Sequence, residues 1–478
     1  MRPNVLLLLA DEHSPRVLGA YGPAPADTPA LDSLAAEGTL FERTYCNAPM
    51  CVPSRLSFLS GRYSWKIGAW SNVSEPPDVP SIPGLLSAAG YATSAVGKLH
   101  LVGDDHYWGF ETRPYGDILG WSHQPDPIAT APSLRVFPAG PAEIPEELAQ
   151  ETIVTDVGVR ELERLRDGGR PFFLCLSYNR PHFPLRPPQR LWERYYPDRA
   201  DLPSLPPGHP DELHPYMQHH RRFYGVDKVS DEDTRRARAA YYASVALIDE
   251  HVGTVLAAVD RLGLRESTVV VYMSDHGEMY GEHGLWRKST FYEEAVTVPL
   301  IVRHPDAPLR GLRVRGPVEL VDLLPTVLDC AGVPPPEGVD GRSLLPLVLG
   351  GPASGNTRAI SEYYSHSVPG PMRMLRREQW KYCWYADERP SLFDLAEDPG
   401  ELHDLAADGA AARRVAAELD AELRDDWDED LVRRNFVYAA TPKQSAAHLV
   451  TRSPNQFVDP DGTIRDAEDF YPGVDWRP

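Results

Sequence analysis

Three stretches of this chain are apolar almost without a break: NVLLLLA at 4–10, FFLCL at 172–176 and TVVVYM at 268–273. A strand that alternates can keep one face in water. A strand that is apolar on every residue needs cover on both faces, the setting of parallel strands in an α/β sheet. Helical periodicity lies between the runs. TPALDSLAAEG reads as a helix stopped at Gly38, SIPGLLSAAG and VTDVGVRELERLRD as two more, and RARAAYYASVALIDEHVGTVLAAVDRLG as a long amphipathic helix capped near Gly263. YATSAVG and VPLIVRHP read as further strands. The stretch 104–150 is rich in Pro, Asp, Gly and Trp and is expected to be a long loop, and 181–230 is again irregular.

At 478 residues the chain exceeds one comfortable core, so two domains are expected. GGPASGNTR at 350–358 reads as a linker. Beyond it MRMLRREQWKYCWYAD alternates, as antiparallel strands do, and AAARRVAAELDAELRDDWDEDL reads as a helix. The expected division is an α/β domain over 1–355, a small α+β domain over 356–434 and a polar tail over 435–478, lying at a site mouth or a subunit contact. A homo-oligomer is expected. The formal net charge of -21 argues against nucleic acid and anionic membranes as partners, since both need clustered Lys and Arg. An anionic substrate would then need a local positive pocket. The five cysteines, Cys46, Cys51, Cys175, Cys330 and Cys383, are scattered and odd in number, which disfavours a disulfide framework. The apolar run at the start is cut short by Asp11 and reads as a strand rather than a leader, and the expected location is cytoplasmic.

Candidate chemistry gathers at the ends of the expected strands, where α/β sheets place their ligands. NAPMCVPSRLSFLSGR puts Cys51 at the start of a helix, with Pro53 in its first turn, Arg55 one turn on and Gly61 as the stop. That is either a buried cysteine before an ordinary helix or the address of an anionic nucleophile. Asp11-Glu12-His13 and Asp275-His276 follow two of the buried runs. Each cluster reads alone as strand-end caps; together they could hold a divalent cation, with Mg or Ca suiting the carboxylates and His276 admitting Mn or Fe. Lys98 and His100 in GKLH could bind an oxyanion and move a proton. His182 in NRPHFP and Lys288 in GLWRKSTFYEE are weak signals taken singly.

Taken together these residues resemble the formylglycine-dependent sulfatases of the alkaline phosphatase superfamily, over about residues 3–410. The carriers are Cys51-Val52-Pro53-Ser54-Arg55, the run GYATSAVGKLH, the strand-end segments ADE and SDHGE, GEHGLWRKSTFYEEAVTVPLIV, and PSLFDLAEDPGELHDLA. Within the family, GKLHLVGDDHYWGFE and GPMRMLRREQWKY look most like the choline-sulfatase branch. Val52 stands where the family usually has a smaller residue, Glu12 where many members have Asp, and His276 where many have Asn.

The resemblance implies an alkaline-phosphatase-like domain with a mixed, mostly parallel sheet between helices, plus a small C-terminal domain with an antiparallel sheet. It implies that Cys51 is oxidised to formylglycine by a formylglycine-generating enzyme, and that the hydrated aldehyde attacks the sulfur of a sulfate ester. One divalent metal, calcium first and manganese or magnesium next, would be held by Asp11, Glu12, residue 51, Asp275 and His276. Lys98, Lys288 and His182 would grip the sulfate, with His182 or Lys288 as the acid. Asp275 is a candidate to deprotonate the nucleophile, Arg55 would orient residue 51, and His100 would release sulfate by deprotonating the second hydroxyl. The substrate would be a small sulfated molecule. Were it a quaternary ammonium ester, Trp108, Trp121 and Tyr115 would be candidates for an aromatic cage, loop packing being the other reading of them. A phosphonate monoester or phosphodiester hydrolase of the same fold, and a non-catalytic binding protein, stay open as alternatives.

Overall fold

In the computed structural model the first apolar run becomes strand β1 (Asn4–Asp11), and its side chains divide between two apolar clusters. Val5, Leu7 and Leu9 enter one, while Leu6, Leu8 and Ala10 enter the other. Successive side chains of a strand point to opposite faces, so an unbroken apolar run is what a sheet buried on both sides demands. The structure describes residues 2–103, 105–116, 136–142, 145–352, 358–436, 456–458 and 464–466.

Among these residues β1 lies inside a nine-stranded sheet. The other members are β2 (Thr39–Tyr45), β3 (Ala92–Gly97), β4 (Thr112–Tyr115), β5 (Phe172–Pro181), β6 (Thr268–Ser274), β7 (Thr297–Val298), β8 (Leu300–Arg303) and β9 (Leu312–Glu319). Their order is β4-β3-β5-β1-β6-β8-β2-β7, with β9 also paired to β2. The first five are parallel; β8 and β7 run antiparallel to β2, and β9 runs parallel to it. The helices are α1 (Pro29–Glu37), α2 (Cys51–Ser60), α3 (Ile82–Ala88), α4 (Gln150–Asp167), α5 (Gln189–Tyr195), α6 (Pro215–Tyr224), α7 (Asp231–Arg261), α8 (Glu293–Val296), α9 (Leu323–Cys330), α10 (Leu345–Val348), α11 (Gly409–Arg424) and α12 (Glu429–Asn435). Leu31 of α1, Leu162 of α4 and Val252 of α7 cover one face of the sheet. Leu56 of α2, Leu86 of α3 and Leu324 of α9 cover the other. α7 is long and apolar enough to cross a membrane by composition, yet most of that apolar stretch is buried inside the protein.

The structure corrects several expectations. β2 and β9 were not expected; Glu42, Arg43, Arg313 and Arg315 interrupt their apolar pattern because these strands keep part of their length near the surface. The expected loop over 104–150 contains β4, whose Tyr115 is fully buried in the core. The irregular stretch 181–230 contains α5 and α6, which bury aromatic residues such as Trp192 and Tyr216 rather than an aliphatic stripe.

A second, four-stranded antiparallel sheet follows: β10 (Arg358–Tyr363), β11 (Met372–Arg377), β12 (Trp380–Tyr385) and β13 (Ser391–Asp394). α11 lies on it through Leu419 and Leu423. In the tail, β14 (Gln456–Val458) and β15 (Ile464–Asp466) form an antiparallel pair; Asn435 ends α12, and the tail beyond Phe436 otherwise lies outside the described residues. The small sheet shares the apolar cluster of the large one through Met372, Met374 and Phe393. Two polar ties reinforce this contact. Asn47 donates to Glu319 Oε1 at 3.1 Å and to the Ile360 carbonyl at 3.0 Å. Lys381 on β12 is fully buried, with Nζ 2.7 Å from Glu293 Oε1, 2.8 Å from Glu401 Oε1 and 2.7 Å from the Phe291 carbonyl. Phe291 and Glu293 sit just after Lys288, so the small sheet braces the segment that carries this lysine. Removing one partner from a buried ion cluster strands the others. Lys381→Met is expected to destabilise the protein by about 3–5 kcal/mol, read by denaturant unfolding, with Glu293 and Glu401 left facing each other.

Candidate active site

The carboxyl ends of β1, β3, β5 and β6 reach the same edge of the sheet because these strands are parallel. Each passes at once into polar residues: Asp11 and Glu12, Lys98, His182, and Asp275 with His276. α2 points its N-terminus into this group. Met50 is its cap in extended conformation, Cys51 its first residue, and Gly61 at φ 68° ends it in the left-handed region that favours glycine.

Arg55 organises the centre and is 1% exposed. Its Nε donates to Asp275 Oδ2 at 2.8 Å and its Nη2 to Asp11 Oδ2 at 2.9 Å. Its Nη1 donates to the Lys98 carbonyl and to Ser177 Oγ. One guanidinium therefore ties the ends of β1, β3, β5 and β6 together. Lys98 Nζ adds a 2.6 Å contact to Asp11 Oδ2.

Cys51 Sγ lies 3.3 Å from His276 Nε2 and 3.9 Å from Asp11 Oδ1. His276 Nδ1 faces the Gly277 carbonyl at 3.0 Å, so Nδ1–H donates there and Nε2 is the ring nitrogen turned to Cys51. His182 repeats the device: Nδ1 donates to the Phe183 carbonyl at 2.7 Å, and Nε2 accepts from Lys288 Nζ at 2.8 Å. Lys288 Nζ also lies 3.1 Å from Glu12 Oε1, and Glu12 Oε2 lies 3.2 Å from His182 Nε2.

Burial and neighbours set the charges. Burial pushes the Asp11 carboxyl up, but Lys98, His182 and Arg55 overcome this and hold it well below the usual range. Burial and the Asp11 charge raise Asp275. Burial raises Glu12 well above its ordinary value, with Glu278 adding to this and Lys288 opposing. Burial would raise the Cys51 thiol, yet Lys288, Lys98, His276 and His100 pull it well below its ordinary value. Burial, Lys288 and Lys98 push His182 down to about 3, so its ring is neutral near pH 7.

Asp11, Cys51, Asp275 and His276 present ligand atoms within 4.8 Å of one another, all buried. Two carboxylates, an imidazole lone pair and a fourth group fit a divalent cation of the Ca, Mg or Mn kind. Asp11, Glu12 and His182 form a second such group, but Lys288 Nζ already places a positive charge against Glu12 and His182.

The structure thus brings together Cys51, Arg55, Lys98, His100, His182, Lys288, Asp11, Glu12, Asp275 and His276. Glu12 departs from its expected place: its backbone is left-handed at φ 69°, and its carboxyl faces Lys288 and His182 instead of joining the four-residue group. Two of the three cage candidates, Trp108 and Tyr115, pack in the apolar clusters. Trp108 is 7% exposed within the core, and its carbonyl accepts from Ser81 Oγ. Tyr115 is a core residue of β4, and Trp121 lies outside the described residues. Sequence reading passed over Glu278, a buried residue whose Oε1 accepts the backbone N–H groups of Tyr280 and Arg287. A glutamate two residues after His276 was the available signal. It also passed over Arg287, for which adjacency to Lys288 was the only sign. Glu12, His100, Arg287 and Ser289 all have φ between 58° and 72°, a clustering of strained backbone that accompanies functional sites.

A cation-binding set, a buried nucleophile position and two lysines over parallel strand ends define a hydrolase of the alkaline-phosphatase-like fold. Comparison with known proteins narrows this. The family model described as Sulfatase matches residues 3–333, and that described as N-sulphoglucosamine sulphohydrolase, C-terminal, matches 281–429. The chain is 32% identical over 436 residues to choline-sulfatase of Rhizobium meliloti (strain 1021), covering 85% of this chain and 82% of the relative. It is 30% identical over 452 residues to arylsulfatase K of Bos taurus, covering 88% and 81%. Among solved structures, phosphonate monoester hydrolase from Silicibacter pomeroyi matches with a TM-score of 0.79 at 26% identity, covering 90% of this chain and 96% of that one. The chain belongs to the sulfatase family.

Arg55→Lys keeps the charge but cannot bridge Asp11 and Asp275 with a fork. It is expected to lower kcat/KM by at least about a hundredfold and stability by about 2–4 kcal/mol, read by steady-state kinetics and denaturant melts.

Proposed function

We propose that this protein hydrolyses a small sulfate ester to an alcohol and inorganic sulfate, using residue 51 in its formylglycine form and one divalent metal. The observation that supports this most is the place of Cys51 Sγ, at a helix N-terminus and within 3.9 Å of both His276 Nε2 and Asp11 Oδ1. That sulfur stands where a hydroxyl of the hydrated aldehyde would be. Asp11, Asp275, His276 and residue 51 would hold the metal, which supplies charge neutralisation for the sulfate oxygens and for an ionised nucleophile. Pro53 and Arg55, which the modifying enzyme reads in this family, are present beside Cys51.

The chain's own residues divide the remaining work. Lys98 and Lys288 bind sulfate oxygens and offset their charge. Lys288 Nζ, hydrogen-bonded to the neutral His182 ring, protonates the leaving alcohol oxygen, and His182 steadies the lysine that donates. His100 takes the proton from the second hydroxyl of hydrated residue 51, which lets sulfate go. Arg55 keeps Asp11 and Asp275 in position throughout. A second reading, phosphonate monoester hydrolysis, draws on the likeness to the Silicibacter pomeroyi enzyme.

Purified protein is expected to release sulfate from sulfate esters, and Cys51→Ala to lose at least about a thousandfold of kcat, while the mass of the peptide spanning Cys51 reports the aldehyde. Phosphonate or phosphate products without sulfate would favour the second reading. Treatment with a chelator is expected to abolish turnover, and titration with Ca, Mn or Mg to restore it and name the metal.

A further inference from the structure

Arg287 precedes Lys288, and no step above uses it. Its side chain is 6% exposed, and its guanidinium carbon lies 4.1 Å from the Phe183 ring centre and 4.4 Å from the Tyr224 ring centre. Aromatic contact occupies the faces of a guanidinium and leaves its N–H edges for hydrogen bonding. Nε and Nη2 are both buried and have no hydrogen-bond partner. Those two nitrogens share one edge of the group, the edge that takes a carboxylate or sulfate through two parallel N–H···O bonds. Among the described residues no carboxylate pairs with this guanidinium; Glu278 accepts only the backbone N–H of Arg287. A buried charged donor left unpaired is costly, so an open fork of this kind points to a ligand.

The position of the fork says which ligand. Phe183 follows His182, and the ring that carries the Arg287 guanidinium also carries Lys288 Nζ, 5.0 Å from its centre. Arg287 therefore lies one aromatic ring away from the lysine assigned to the leaving oxygen.

We propose that Arg287 binds a second anionic group, a carboxylate or a further sulfate, carried on the alcohol part of the substrate. This rests on the sulfate-ester reading and makes the substrate at least a dianion. A cationic alcohol part, as in a quaternary ammonium ester, would meet a like charge from this guanidinium rather than a counter-charge.

The test compares phenyl sulfate, the three isomeric carboxyphenyl sulfates, phenylene bis-sulfate and choline O-sulfate, by calorimetric binding to the Cys51→Ala protein and by turnover with the unsubstituted enzyme. At least one carboxylated or bis-sulfated ester is expected to bind about tenfold or more tighter than phenyl sulfate, with choline O-sulfate the weakest. The carboxylate and bis-sulfate arms tell which anion is preferred. Arg287→Gln is expected to cut the ratio of kcat/KM between the preferred ester and phenyl sulfate by roughly thirtyfold, and Arg287→Lys to restore only part of it, because an ammonium cannot fork. A melting curve checks that the variants fold. Equal binding across the panel, or a preference that survives in Arg287→Gln, would overturn the proposal. If no ester releases sulfate while the Arg287-dependent preference for anions persists in binding, the sulfatase reading falls and the anion site stands.

Discussion

Asp11 and Asp275 end neighbouring parallel strands inside a buried site, where two like charges repel strongly and neither has water to soften the effect. Arg55 allows them to stand together. Its Nε and Nη2 address one carboxylate each, while Nη1 reaches the backbone after β3 and a hydroxyl on β5. The guanidinium suits this because its donors are fixed in a plane. Since Arg55 is one turn along α2 from Cys51, clamping the arginine also fixes the start of the helix. The nucleophile position, the cation-binding set and the register of the strand ends therefore follow from one contact.

Much of this was readable in the chain. The unbroken apolar runs implied strands covered on both faces, and Gly61, Pro53 and Cys51 marked the limits of α2. The less legible parts have physical reasons. β2 and β9 mix charged and apolar residues because part of each reaches the surface, and pattern alone does not separate such a strand from a loop. α6 buries tyrosine, histidine and phenylalanine, which carry no aliphatic stripe. Lys381 is indistinguishable in sequence from a surface lysine, although three partners surround it. Glu12 was grouped with the cation ligands by adjacency to Asp11, but a left-handed backbone at that one residue turns its carboxyl to Lys288 and His182. Trp108 belongs to the core, since aromatic composition in a loop does not say which way a ring faces.

The electrostatic design is local. A chain of net charge -21 repels anions at a distance, so an anionic substrate gains its attraction only inside the site. Lys98, Lys288, Arg55 and Arg287 are all 7% exposed or less, which keeps their charge away from salt and from competing surface carboxylates. On the proposals above, selectivity for sulfate and selectivity for the group attached to it would be separate matters, carried by the strand ends and by the segment of Arg287 respectively.

If residue 51 acts as formylglycine, as proposed above, the burial of Cys51 would fix an order of events during biosynthesis. The thiol is 1% exposed, and the residues that enclose it come from β1, β3, β5, β6 and the loop before α8, which are spread over nearly three hundred residues of chain. An oxidising enzyme cannot reach it once those segments have come together. The window for such a modification would be the interval in which the Cys51 segment has been made but the later strands have not yet closed over it. Protein that folds before the oxidase arrives would keep its thiol permanently, so the active fraction of a preparation would record a race between two rates in the producing cell.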